Sequence, residues 1–176
     1  MATTSNGATR VLYSLLYSIF IIKYFSLFFL YFIYKLDLVE RKQYWQELYQ
    51  EAQEINKQCN GNELTFDNIA KMVKLNSFVK ESLRFTSPIV ALPHKCISKS
   101  YYTFANGYQV PSGRTVSLNF RDTNTNVEEL QGQNPTEFYA YRHLERNSPA
   151  TKLECNFLTF GDGKHECPGR ALAISY

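Results

Sequence analysis

Two patterns of apolar residues divide the chain. From Val11 to Tyr34 almost every residue is apolar or aromatic, with Lys23 near the centre. A helix of about 24 residues is about 36 Å long, which is enough to cross a bilayer. Farther along, the apolar residues become periodic, as is typical of globular structure. The pattern therefore predicts a hydrophobic segment, residues 1–36, which is a candidate transmembrane helix, followed by a folded portion, residues 37–176.

The start of the folded portion predicts two helices. Over residues 44–55 an apolar stripe is formed by Trp45, Leu48, Ala52 and Ile55, and the rest of the helix surface is rich in Glu and Gln. A second helix is expected to begin at Thr65, which is a suitable N-cap residue. Its apolar face, which continues to Glu81, is formed by Met72, Leu75, Phe78 and Val79.

Short strands and turns are predicted after these helices. Asn106-Gly107 is a strong hairpin signal, and Gly113 belongs to a second turn that follows Pro111. The sequence therefore predicts a mainly α fold with a small β-sheet, of the α+β class.

Residues 160–173 contain the candidate chemistry. Glycines in this stretch allow tight turns and the close approach of a flat ligand to the backbone. Pro168 and Gly169 prepare the start of a helix, so the sulfur of Cys167 would lie near a helix N-terminus. Backbone N–H groups and the helix dipole favour a thiolate at that position. Cys167 is therefore the candidate ligand for an iron ion.

This stretch resembles the haem-ligating loop of the cytochrome P450 family, which has the pattern F-x-x-G-x-[RH]-x-C-x-G-x-x-x-A. Every fixed position of that pattern is present, as Phe160, Gly163, His165, Cys167, Gly169 and Ala173. The resemblance implies that haem is the cofactor and that Cys167 is the axial ligand of its iron and the catalytic centre. It also implies that His165 contacts a haem propionate.

A second match to the family lies upstream, at Glu81 and Arg84. Their i, i+3 spacing places them on one face of a helix, although this spacing alone is common on solvated helices. In the family these two residues are buried and pair with an Arg from a segment shortly before the cysteine loop. Arg142 takes that position here, while Ala140 stands where the family often has proline. The resemblance implies a structural network whose loss, in Glu81→Ala, prevents haem retention.

His94 is a further candidate for contact with a haem propionate, and Lys95 is the second choice. The strand that contains them resembles the family strand whose basic residue makes that contact. A lone His after a proline is more often a surface residue. Both interpretations remain open at the level of sequence.

The resemblance implies a monooxygenase that oxidises a lipophilic organic substrate with O2 and with electrons from cytochrome P450 reductase or a similar donor. Lys152 and Lys164, near the cysteine loop, are candidates for the surface that receives this partner. The net charge of +3, without a basic and aromatic stripe, does not indicate a nucleic-acid site. The four cysteines show no C-x-x-C spacing, so structural zinc is not indicated.

Two interpretations of residues 1–36 remain open. The segment is either a membrane anchor or translated non-coding or misspliced sequence joined to a genuine C-terminal portion. For an anchor, the basic residues Lys35, Arg41 and Lys42 place the rest of the chain in the cytosol. That orientation agrees with family members on the cytosolic face of the endoplasmic reticulum membrane.

The resemblance covers the chain from about Tyr44 to its last residue, and matches only the C-terminal part of the family's fold. The segments that form the distal face of the haem in the family have no match in this sequence. We therefore expect a partial cytochrome P450 fold preceded by a hydrophobic helix. The alternative function is a truncated, catalytically inactive fragment or a membrane-tethered haem-binding remnant.

Overall fold

The computed structural model describes residues 36–59, 63–87 and 91–175. The predicted membrane segment, Val11–Tyr34, lies outside these residues. In the part of the chain that is described, no helix combines the length and apolar character needed to cross a membrane. Residues 36–40 are helical, and the α-helices with both ends in the described residues are α1 (Trp45–Gln58), α2 (Phe66–Ala70), α3 (Val73–Thr86), α4 (Phe120–Thr125), α5 (Glu128–Gln131) and α6 (Arg170–Ser175). The strands are β1 (Ala91–Lys95), β2 (Tyr101–Thr103), β3 (Gln109–Pro111) and β4 (Thr115–Asn119).

Helix α1 confirms the first amphipathic helix. Leu48 and Ile55 are buried, as the stripe predicted. Trp45 is an exception, because 54% of its surface is exposed. Trp45 is the first residue of the helix and contributes little to the core, which Leu48 and Ile55 enter.

The predicted second helix is in fact two helices, α2 and α3. Thr65 is the N-cap of α2, and its hydroxyl oxygen accepts a hydrogen bond from the backbone N–H of Asn68 at 3.3 Å. The chain then turns through Lys71 and Met72. Glu51 of α1 accepts hydrogen bonds from two backbone N–H groups in the first turn of α3, at 2.8 and 2.9 Å. A carboxylate at this position stabilises a helix start and therefore favours a new helix at this point.

Helix α3 lies at the centre of the described structure. Eight consecutive residues, from Ser77 to Arg84, are buried, so the helix is covered on all sides over two turns. One side packs against a cluster that includes Leu48 and Ala140. Another side, through Leu83, packs against a second cluster that includes Phe157. The long segment between α5 and α6 therefore wraps around α3.

The strands form two antiparallel pairs, where the sequence predicted one small sheet. Strand β1 pairs with β4, and β2 pairs with β3. The hairpin between β2 and β3 turns at Gly107, whose φ of 87° is favourable only for glycine. The turn before β4 uses Gly113 in the same way, with φ of 77°. Both predicted turns are confirmed, and each marks the end of a short strand.

Candidate functional site

The cysteine loop is closed by its own backbone. The N–H of Cys167 donates to the carbonyl of Phe160 at 2.8 Å, and the intervening residues include one short 3₁₀ turn, Gly163–His165. Gly161 and Gly163 have φ of 73° and 64°, which a residue with a side chain rarely adopts. Helix α6 begins three residues after the cysteine. The loop therefore has a fixed, glycine-dependent shape that presents one thiol.

The surroundings of Cys167 suit a flat, apolar cofactor with an iron centre. The cysteine forms no disulfide and is partly buried at the edge of the cluster that contains Phe160 and Leu83. A methyl group added at Gly163 would meet no atom within 4 Å, so that side of the loop is open. A methyl group added at Gly169 would lie 4.0 Å from the sulfur. A soft sulfur donor with apolar neighbours fits haem iron.

The predicted propionate contacts lie at exposed positions. His165 is exposed on the cysteine loop, and His94 and Lys95 are exposed on β1. His94 also borders a cavity of about 290 Å³ that is lined by strand residues, among them Val116 and Leu118. No residue of the cysteine loop lines this cavity, so the described contacts do not join His94 to Cys167.

The structure brings Glu81, Arg84 and Arg142 together. Glu81 has no exposed surface, and its two carboxylate oxygens accept from Nη2 and Nε of Arg84, both at 2.8 Å. The Nε of Arg142 donates to Oε1 at 3.1 Å, and the backbone N–H of Tyr139 donates to the same oxygen at 3.0 Å. A buried carboxylate between two guanidinium groups is a strong, geometrically specific arrangement.

Both arginines also bind backbone carbonyls, one in α4 and the others in the segment that follows α5. Arg84 donates to the carbonyls of Pro135 and Asn124 at 2.6 and 2.7 Å. Arg142 donates to the carbonyls of Gln133 and Asn134 at 2.9 and 3.0 Å. These bonds attach a stretch of irregular backbone, much of it exposed, to the buried carboxylate network. The network therefore fixes the path of residues 131–139 relative to α3.

His143 is a member of this network that the sequence did not predict. Its Nε2 lies 3.2 Å from Oε2 of Glu81, and burial lowers the pKa of His143. The neutral imidazole therefore donates from Nε2 to the carboxylate. Burial raises the pKa of Glu81, but hydrogen bonds from Arg84 and His143 and the charge of Arg84 outweigh it and lower the pKa to about 2. Glu81 is thus a carboxylate across the ordinary pH range.

A second pair of charges was also missed, the buried Lys80 and the half-buried Glu154. Lys80 has no exposed surface, and its Nζ lies 2.7 Å from Oε2 of Glu154. One signal was available in the sequence, because Lys80 follows Phe78 and Val79 on the predicted apolar face. A charge in such a stretch indicates a buried partner, but 74 residues separate the two and no local pattern identifies Glu154.

Comparisons with known proteins agree with these features. The family model described as cytochrome P450 matches residues 29–175. The match begins upstream of Tyr44 and includes the end of the predicted hydrophobic segment. The chain is 33% identical over 151 residues to cytochrome P450 monooxygenase CYP3 of Pyricularia oryzae, covering 81% of this chain and 28% of that protein. It is 33% identical over 141 residues to cytochrome P450 monooxygenase ccsG of Aspergillus clavatus, covering 76% of this chain and 27% of that protein.

Solved structures show the same fold. The chain superposes on a structure described as retinoic acid bound cyanobacterial CYP120A1 with a TM-score of 0.61 and 24% identity, over 80% of this chain and 30% of that one. It matches the crystal structure of the cytochrome P450DA heme domain with the same TM-score and 20% identity, over 81% and 30% of the two chains. The chain spans less than a third of the length of each of these proteins. Haem is the cofactor of the family, and this chain, which has a partial form of its fold, belongs to the cytochrome P450 family.

Proposed function

We propose that this chain is the haem-thiolate portion of a monooxygenase that oxidises a lipophilic organic substrate with O2. The observation that supports this proposal is the cysteine loop. Cys167 is a free thiol on a glycine-dependent loop, at the edge of a buried apolar cluster and beside an open face. Relatives that share this part of the chain are named monooxygenases.

When bound, haem supplies the iron-centred activation of O2. The residues of this chain bind and orient it. Cys167 provides a thiolate donor, and the buried ring of Phe160 beside it keeps water from the cluster behind the sulfur. His165, His94 and Lys95 are the basic groups that we assign to the propionates, on the basis of the family pattern and their exposure.

Glu81, Arg84 and Arg142 have a positioning function in this proposal. They bind no cofactor atom themselves. Their network holds α3 against the segment that leads to the cysteine loop, and a carboxylate buried with its charge intact makes this attachment specific. The loss of Glu81 is therefore expected to reduce haem retention.

Electrons are proposed to come from cytochrome P450 reductase or a similar partner. Lys164 is exposed on the cysteine loop and suits an acidic partner surface. Lys152 is half exposed, but its Nζ lies 3.0 Å from Oε1 of Glu154, so an internal carboxylate already balances part of its charge. The proposed location, the cytosolic face of the endoplasmic reticulum membrane, depends on the hydrophobic segment of residues 11–34 and its basic flank.

The test is haem reconstitution of the purified chain. After reduction and addition of carbon monoxide, a strongly red-shifted Soret band that disappears in Cys167→Ser would support thiolate ligation by Cys167. Cys155→Ser is the matched control, because Cys155 is an exposed thiol on the same segment and should leave the band unchanged. A band typical of histidine-bound or free haem, identical in all three proteins, would contradict the proposal and favour the inactive remnant.

A further inference from the structure

A second ion pair, in which the cation is fully buried, lies directly beside the Glu81 network. The side chain of Lys80 is fully buried on α3, and its Nζ donates to Oε2 of Glu154 at 2.7 Å. The ammonium also donates to the hydroxyl of Ser148 and lies 4.8 Å from the centre of the Phe157 ring. An ammonium group is very costly to bury without partners. The ammonium group of Lys80 is therefore surrounded by a carboxylate, a hydroxyl group and the face of an aromatic ring, which compensate for its burial.

Glu154 is the charged centre of this site. Its side chain is 21% exposed, with Lys80 on the inner side and Nζ of Lys152 at 3.0 Å from Oε1 on the outer side. The hydroxyl of Ser148 donates to Oε2 as well. Burial raises the pKa of Glu154, but hydrogen bonds from Lys80, Ser148 and Lys152 outweigh it and lower the pKa to about 2. The carboxylate is therefore charged whenever the chain is folded near neutral pH.

The segment that this ion pair holds is attached to Cys167 on two sides. On one side, Arg170 of α6 donates to the carbonyl of Thr151 at 3.0 Å and to the carbonyl of Cys167 at 3.2 Å. On the other side, Phe157 packs edge-on against Phe160 with 6.2 Å between ring centres. The carbonyl oxygen of Phe160 accepts the hydrogen bond from the N–H of Cys167, at 2.8 Å, that closes the cysteine loop. Residues 148–157 therefore support both ends of the loop.

We propose that the Lys80–Glu154 ion pair positions Cys167 by fixing residues 148–157 against α3. Its action is separate from that of Glu81, which fixes residues 131–143. Lys80 and Glu154 are positioning residues, because neither contacts the sulfur. The inference rests on the proposed function of Cys167 as a haem ligand, but its effect on the loop exists without haem.

The experiment compares Glu154→Gln, Lys80→Met and the double variant with the unmodified chain. Lys152→Met removes the exposed outer partner of Glu154 and is the matched control. In the haem-free chain, the alkylation rate of Cys167 is measured by peptide-resolved mass spectrometry. In the haem-loaded chain, the fraction of thiolate-type Soret band in the reduced carbon monoxide complex is measured together with haem content. Urea unfolding reports stability separately.

Glu154→Gln leaves the buried ammonium of Lys80 without its counter-charge and should unfold at lower urea concentration. Lys80→Met leaves Glu154 partly exposed and still paired with Lys152, so it should lose less stability. We expect about tenfold faster alkylation of Cys167, or more, and a lower thiolate fraction, on the basis of the energies of such pairs. In the double variant, where no buried charge is left uncompensated, stability should recover relative to Glu154→Gln, while alkylation stays fast and the thiolate fraction stays low. This separation distinguishes a positioning role from a purely structural one.

Two results would overturn the inference. One is a double variant whose alkylation rate and thiolate fraction match those of the unmodified chain. The other is a set of single variants that change these readouts no more than Lys152→Met does. If the unmodified chain gives no thiolate band, the proposed function fails, and the alkylation rates alone decide the inference.

Discussion

Glu81→Gln is the substitution whose effect can be worked out most fully from the structure. The carboxylate accepts five hydrogen bonds, from Nε and Nη2 of Arg84, Nε of Arg142, Nε2 of His143 and the backbone N–H of Tyr139. Glutamine has nearly the same shape, so no cavity forms. Its amide nitrogen, however, brings a donor to a site surrounded by donors, and two buried guanidinium groups lose their counter-charge.

The expected cost is large compared with the stability of a typical domain. Removal of one partner from a buried ion pair costs about 3–5 kcal/mol. An independent route gives a similar value, since the fall of the Glu81 pKa from 4.5 to about 2 corresponds to about 3 kcal/mol. Domains are typically stable by about 5–15 kcal/mol. Glu81→Gln should therefore remove a substantial part of the free energy of unfolding of the chain.

Urea unfolding of the haem-free chain, followed by circular dichroism, measures this cost. Glu47→Gln is the matched control, because Glu47 of α1 is half exposed, pairs with Lys74 of α3 at 3.1 Å and accepts from the hydroxyl of Tyr141 at 2.9 Å. Interactions at such a solvent-exposed carboxylate contribute little to stability. The reasoning would be refuted by a Glu81→Gln variant that loses no more stability than the control, or that retains haem as well as the unmodified chain.

Two further predictions concern acid and the start of α3. The folded chain holds the pKa of Glu81 at about 2 against 4.5 in the unfolded chain, so its contribution is present above pH 4.5 and is lost as the pH falls toward 2. The lowered pKa of His143 also destabilises the folded chain as the pH falls below 6.5, because the imidazole is then protonated in the unfolded state before it is protonated in the folded state. Unfolding midpoints measured from pH 7 to pH 2.5 should fall, and should fall less between pH 4.5 and pH 2.5 in Glu81→Gln; equal pH profiles would contradict this. Glu51→Gln, which weakens two hydrogen bonds to the first turn of α3, should cost about 1 kcal/mol in urea unfolding, and an unchanged midpoint would exclude the capping role.

Local patterns predicted the parts of the fold that depend on neighbours in sequence. Leu48 and Ile55 recur at helical spacing and are buried on α1. Thr65 has the side chain of an N-cap, and Gly107 supplies a turn with positive φ. Each of these features is decided within one helical turn or one hairpin, so the residues themselves contain the information.

The break between α2 and α3 could not be predicted in this way. No glycine or proline stands between Thr65 and Val79 to end a helix, so the local sequence favours one helix. The new start depends on Glu51, whose carboxylate reaches the backbone of Lys74 from α1, 23 residues earlier. A cap supplied from such a distance leaves no signal in the local pattern. The same limit applies to Glu154 as the partner of Lys80.

The candidate site likewise contains residues that the sequence predicted and one that it did not. The i, i+3 spacing of Glu81 and Arg84 allowed their pairing, but only the resemblance to the family predicted a buried pair, and the structure has both bonds at 2.8 Å. Arg142 was assigned only through resemblance to the family. His143 was missed because an imidazole next to an arginine has no helical spacing or motif that would identify it as a partner of Glu81.

The neighbouring positions of Lys80 and Glu81 explain how one helix can hold two different segments. Consecutive residues on an α-helix point about 100° apart. Glu81 therefore meets Arg142, while Lys80 meets Glu154, in a different part of the wrapping segment. Because the two charges on α3 have opposite signs, a segment that docked in the other's place would put like charges together in a buried site. The two contacts cannot be exchanged, and the order in which residues 131–157 wrap α3 is fixed before the chain reaches the cysteine loop.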